Sequence, residues 1–147
     1  MPHGDSCRRP GLRRPDARCA QARELGRAGE ELACEHLVRL GFRVLARNVR
    51  MRGGEIDVIA FDGRTLVFAE VKCCRAPARG ARPDEARTPL ERLGARQRAR
   101  LRRLAAAWLC APGRHRPRAR DLRLDAIGVT VDEHGRLVRL EHVEGAW

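Results

Sequence analysis

The clearest hydrophobic pattern in the chain is a pair of apolar runs, Glu55 to Phe61 and Thr65 to Cys73, joined by Asp62-Gly63. An Asp-Gly step between two such runs predicts a β-hairpin. Upstream, Leu25, Leu32, His36 and Leu40 recur at helical spacing. They predict a helix from about 21 to 40, with Gly41 as its stop. Phe42 to Asn48 reads as a strand and 50–54 as a turn carrying two glycines. Leu90, Leu93, Leu101, Leu104 and Trp108 form one stripe and predict a second helix over 90–110. Two further strands, 122–131 and 137–143, are expected on either side of Asp132-Glu133-His134-Gly135. The Arg- and Pro-containing stretches 75–89 and 111–120 read as loops. The order α-β-β-β-α-β-β predicts an α/β fold, a mixed β-sheet flanked by helices.

At 147 residues the chain is expected to form one domain. Residues 1–20, with Pro2, Pro10, Pro15 and several Arg, read as a disordered basic extension, which leaves 21–147 as the folded part. The net charge is +12. Residues 1–23 hold six Arg and two Asp, a net +4, so the remainder still carries +8. A basic body predicts a polyanionic partner, nucleic acid first; the alternative is a proteome rich in arginine. There are three Phe, two Trp and no Tyr, too few to bind single strands by base stacking. Arg–phosphate contacts, which carry little sequence information, are the expected mode. Six cysteines without a C-x-x-C pair give no reason to expect zinc. No secretory signal or membrane-length apolar run is visible, so a cytoplasmic location with free thiols is expected.

Charge also singles out one residue. Lys72 is the only lysine among 31 Lys and Arg. Arg stays protonated at any accessible pH, whereas Lys is a compact ammonium whose pKa moves readily. Side chains alternate along a strand, so Glu55, Asp57, Ile59 and Phe61 should share one face, and Leu66, Phe68, Glu70 and Lys72 another. A two-residue turn at Asp62-Gly63 sets Asp57 diagonal to Glu70, and a four-residue turn sets them opposite. Either turn puts Asp57, Glu70 and Lys72 on one surface. Clustered like charges destabilise a ladder unless a cation joins them. Lys72 supplies part of that charge, and Mg²⁺ or Mn²⁺ on Asp57, Glu70 and Glu55 would supply more. The alternative is an ordinary solvated hairpin face, but the apolar Ile59, Phe61, Leu66 and Phe68 on the same face argue against it.

Asp on one strand followed by Glu-x-Lys on the next is similar to the core of restriction-endonuclease-like nucleases. More narrowly, Gly29-Glu30, Arg47-Asn48, Gly54-Glu55-Ile56-Asp57, Glu70-Val71-Lys72, Leu124-Asp125 and Gly145-Ala146-Trp147 resemble the bacterial YraN family of endonuclease-like proteins. That resemblance covers about 22–147. It implies a restriction-endonuclease-like fold shared with Holliday junction resolvases, nucleic-acid binding and metal-dependent phosphodiester hydrolysis. Asp57 and Glu70 would then be metal ligands, Lys72 the catalytic ammonium and Glu30 an accessory acid. Arg47, Arg50, Arg52, Arg75 and Gln97 would face nucleic acid, with DNA expected ahead of RNA and branched DNA by the resolvase comparison. Resolvase-type cleavage would need two sites, hence a homodimer. The family pattern also departs in places. It favours Arg two residues after the lysine and a Lys near 97, where this chain has Cys74 and Gln97. Three readings follow in order: an endonuclease, a nuclease-like domain that binds without cleaving, and a basic protein-interaction adaptor.

Overall fold

The computed structural model describes residues 17–77, 88–113 and 115–146. The elements run α1 (Ala17–Arg39), β1 (Arg43–Met51), β2 (Gly54–Phe61), β3 (Thr65–Arg75), a short 3-10 turn (Pro89–Arg92), α2 (Ala95–Cys110), β4 (Asp121–Val131) and β5 (Leu137–Val143). The five strands form one sheet in the order β1-β2-β3-β4-β5. Strand β3 pairs with β4 in parallel and every other neighbour is antiparallel. The α/β architecture and its element order are therefore as the hydrophobic pattern predicts.

Each sheet face buries a separate apolar layer. Ala33, Cys34 and Leu37 of α1 pack on Val58, Ala60, Val67, Ala69, Ile127 and Val129. Leu101, Leu104, Ala105 and Trp108 of α2 pack on Ile56, Ile59, Leu66 and Phe68. Two helices covering a β-α-β unit is the arrangement that shields a parallel pair from water.

The boundaries differ from expectation in three places. Helix α1 starts at Ala17, so Ala17–Ala20 of the expected extension are helical; residues 1–16 lie outside the described residues. Its buried face is Gly29, Ala33, Cys34 and Leu37, while Leu40 at its end is exposed. The cause is close packing: a Cβ at Gly29 would lie 2.5 Å from Cys73 Cβ of β3. Finally, 90–110 is not one helix. Leu93 is extended, Gly94 caps α2, and Leu90 packs on Gly128, where a Cβ would lie 2.8 Å from its Cγ. Most of the expected loop 75–89 lies outside the described residues. Every described cysteine is a free thiol.

Candidate active site

The β2–β3 hairpin positions the charged cluster. Asp62 Oδ1 accepts hydrogen bonds from the backbone N–H of Arg64 (2.8 Å) and Thr65 (2.6 Å). Asp favours such turns because its side chain replaces a backbone acceptor two residues on. The turn is the longer of the two alternatives: Phe61 pairs with Leu66, and the ladder continues to Val58 and Ala69. The next step of that register brings Asp57 opposite Glu70. There the ladder gives way to a side chain, because the Val71 N–H donates to Asp57 Oδ2 at 2.7 Å. Ile56 and Ile59 both pack against α2, although strict alternation would put them on opposite faces. The step that breaks the alternation includes Asp57. On β1 the matching irregularity is Asn48, with a left-handed φ of 50° that Asn tolerates better than most residues. Asp57 thus shares its face with Ile59 less simply than alternation predicts, and still comes up against Glu70.

Glu70 faces the α2 side and is 1% exposed. Lys72 Nζ lies 2.6 Å from its Oε1. Arg100 Nη2, from α2, lies 2.9 Å from Oε1 and 3.1 Å from Oε2. Burial of a carboxylate requires such charge-assisted partners. Gly54, with φ of 149°, admits the Arg100 side chain: a Cβ there would lie 3.3 Å from Arg100 Cδ. On the α1 side, Asn48 Nδ2 donates to Glu30 Oε2 at 2.8 Å, and both residues line a cavity of about 450 Å³. The close approach at Gly29 is what sets Glu30 near the sheet.

The electrostatics follow from this crowding. Burial, then the Glu70 charge, pushes the Asp57 carboxyl up to about 6, against the opposing Val71 hydrogen bond and Lys72. Glu30 adds a smaller push in the same direction. Asp57 therefore feels the charges of Glu70 and Lys72 and, more weakly, of Glu30 across the sheet. Burial, and then the neighbouring Cys74, raises the Cys73 thiol to about 11, which disfavours its thiolate.

The other candidate residues are placed as follows. Glu55 pairs with Arg50 at 3.3 Å and stands outside the cluster. Arg47 pairs with Glu31 of α1 at 3.0 Å. Arg52 is exposed in the β1–β2 turn, and Arg75 donates to the Glu133 carbonyl at 3.0 Å. Gln97 Oε1 accepts from the Gly94 N–H at 3.0 Å and so caps α2. Among the described residues no group of three or more His, Cys, Asp or Glu side chains is arranged to hold a metal ion.

Arg100 is the cluster member that sequence reasoning missed. It lies one helical turn after Gln97, where the family pattern led one to look for a cation. Nothing in the sequence separates it from Arg96, Arg98, Arg102 and Arg103 of the same helix.

A second polar network lies along β4 and β5. Asp125 is fully buried and accepts from Arg123 Nε (2.9 Å), His142 Nε2 (2.9 Å) and the Gly145 N–H (3.0 Å). His142 Nδ1 meets His36 Nε2 of α1 at 3.1 Å. Burial alone would raise Asp125, but the His142, Arg123 and Gly145 hydrogen bonds outweigh it and hold the carboxyl below its ordinary value. The Leu124-Asp125 and Gly145-Ala146 motifs are therefore one tie: the Ala146 N–H also bonds the Leu124 carbonyl at 2.8 Å.

A family model described as "Uncharacterised protein family UPF0102" matches residues 29–129, which span every motif of both networks up to Asp125. The chain belongs to the UPF0102 family. The YraN resemblance is thereby borne out at the level of the family, whose description assigns no activity. A UPF0102 protein of Kineococcus radiotolerans is 44% identical over 122 residues, covering 82% of this chain and 91% of that one. One of Parafrankia sp. is 42% identical over 126 residues, covering 86% and 98%. One of Acidothermus cellulolyticus is 54% identical over 91 residues, covering 61% of this chain and 64% of that one. No helix among the described residues of this UPF0102 chain is long and apolar enough to cross a membrane.

Proposed function

We propose that this UPF0102 protein binds nucleic acid and hydrolyses its phosphodiester bonds with Mg²⁺ or Mn²⁺, on a restriction-endonuclease-like fold. The observation that carries the reading is the convergence of Asp57, Glu70 and Lys72 on adjacent strands. Asp57 is crowded by the Glu70 charge, and Lys72 Nζ lies 2.6 Å from Glu70. The donor set fits a hard divalent cation, because Mg²⁺ takes only one or two carboxylates and completes its shell with water and substrate phosphate oxygens. Asp57 and Glu70 would hold it. When bound, such an ion supplies Lewis-acid polarisation of the phosphoryl group and a more acidic bound water.

The chain's own residues do the rest. Asp57 must be ionised to serve as a ligand, so its elevated value sets a lower pH limit near 6. Lys72, held by Glu70 and about a third exposed, can place its ammonium against charge developing on the phosphorus. The exposed arginines would hold the backbone by counterion release, making affinity steeply salt-dependent. DNA is the first substrate to try, branched forms included.

One observation favours a second reading, binding without cleavage. Both Glu70 oxygens are already engaged by Arg100 and one by Lys72, so the buried charge is neutralised from within. The test is incubation of the full chain with linear, branched and single-stranded DNA and RNA, in Mg²⁺, Mn²⁺ or chelator. Wild type, Lys72→Arg and Lys72→Ala are compared. Metal-dependent cleavage by wild type, lost in both variants with binding intact, is the expected result. A guanidinium is planar and bulkier and cannot take the ammonium's position. Binding without cleavage in any metal would select the second reading.

A further inference from the structure

A cavity of about 410 Å³ opens on the α2 side of the sheet, between β1, the C-terminal half of α2 and the loop before β4. Its cationic lining comes from Arg43, His115 and Arg116, and its apolar wall from Leu45, Trp108 and Pro117. No carboxylate stands among the described residues that line it. Two of its side chains hold buried N–H donors without a partner, Trp108 Nε1 and Arg116 Nε. Trp108 is 4% exposed, and its ring is fixed edge-on against Phe68 with centroids 5.5 Å apart. The Arg116 guanidinium is anchored by Nη2 to the Ala111 carbonyl. Both nitrogens are closed off from the cavity, but its cationic lining, with no acid among the described lining residues, suits a ligand that is itself negative.

We infer that this cavity binds one nucleotide unit, its phosphate on Arg43, Arg116 and His115 and its base against the Leu45–Trp108–Pro117 wall. The volume lies in the range of small-ligand pockets. An apolar wall beside cationic side chains matches a ligand with a planar ring at one end and a phosphate at the other. The cavity is separate from the Asp57–Glu70–Lys72 cluster: Trp108 is eight residues beyond Arg100 on α2, about 12 Å along the helix axis. The ligand is either a free mononucleotide or one nucleotide of a bound strand, and the assignment stands whether or not the chain cleaves anything.

The full chain, labelled with ¹⁵N, gives indole N–H signals from Trp108 and Trp147, and Trp147→Phe assigns them. The probes are adenosine 5′-monophosphate, adenosine, inorganic phosphate and a short oligodeoxyadenylate. The Trp108 signal should move with the monophosphate and the oligonucleotide, and the monophosphate should bind at least tenfold more tightly than phosphate or adenosine. Arg43→Gln and Arg116→Gln, checked for an unchanged circular dichroism spectrum, should each weaken binding about tenfold, one charge-assisted bond's worth. Tighter binding of the oligonucleotide than of the monophosphate assigns the site to a strand, and equal binding assigns it to a free nucleotide. A Trp108 signal unmoved at about 10 mM of either probe, the weak end of specific affinity, would overturn the proposal. So would phosphate binding as tightly as the monophosphate, or binding indifferent to both arginine substitutions.

Discussion

Replacing Asp57 by Asn should stabilise the protein at neutral and alkaline pH while removing one of the two carboxylates proposed to hold a metal. The carboxyl is raised from 3.8 to about 6 by burial and by Glu70. At about 1.4 kcal/mol per tenfold change in proton affinity, that is about 3 kcal/mol between the two protonation states. The sign follows from proton binding. Between pH 3.8 and 6 the folded state holds the proton and the unfolded state does not, so stability falls as pH rises through that window. Above it, ionised Asp57 costs the fold about 3 kcal/mol relative to a neutral side chain. Asn is neutral at every pH and its Oδ1 can still accept from the Val71 N–H. The variant should therefore match wild type near pH 4 and exceed it by up to about 3 kcal/mol at pH 8. For a chain of this size that is about 6–12 °C in melting temperature. The assay is thermal unfolding of both proteins, followed by circular dichroism from pH 4 to 8. A difference that does not grow with pH, or an Asn variant less stable than wild type at pH 8, would refute the reasoning. If the proposed metal site is real, Mg²⁺ at pH 8 should narrow the gap by stabilising wild type alone, since only wild type keeps both proposed ligands.

Three further outcomes are expected. Gly29→Ala should destabilise by about 1–3 kcal/mol, because its Cβ would fall 2.5 Å from Cys73 Cβ; in denaturant melts, Cys73→Gly should relieve the clash where Cys73→Ala, which keeps that Cβ, should not. Asp125→Ala should cost about 3–5 kcal/mol, since it leaves Arg123 and His142 without their buried anion. Hydrogen exchange should then show the Gly145 and Ala146 amides losing protection before those of β2 and β3. Nucleic-acid affinity should fall steeply between low and physiological salt with little sequence preference, and a flat salt titration would favour the adaptor reading.

Local chemistry made much of this protein legible in its sequence. The hairpin was visible because Asp62-Gly63 carries its own turn geometry, and β5 was visible as a short apolar run between turn residues. Glu70 and Lys72 were visible as neighbours because residues two apart on a strand must share a face. Family membership was legible because motifs scattered from Gly29 to Asp125 recur together. Other features depended on contacts no local pattern encodes. The turn could have had two or four residues until the Asp62 carboxylate took the N–H groups of both Arg64 and Thr65. Alternation could not show that Asp57 would replace a rung of the ladder, since that needs its carboxylate to take the Val71 N–H of the neighbouring strand. Arg100 was one arginine among five in its helix until the bare backbone of Gly54 let its side chain reach Glu70. The His36–His142–Asp125 tie joins residues about a hundred positions apart. Periodicity reports which face of an element leaves water. Which charged group on that face becomes buried, and against what partner, is decided by how closely two elements approach, and that distance exists only in the folded chain.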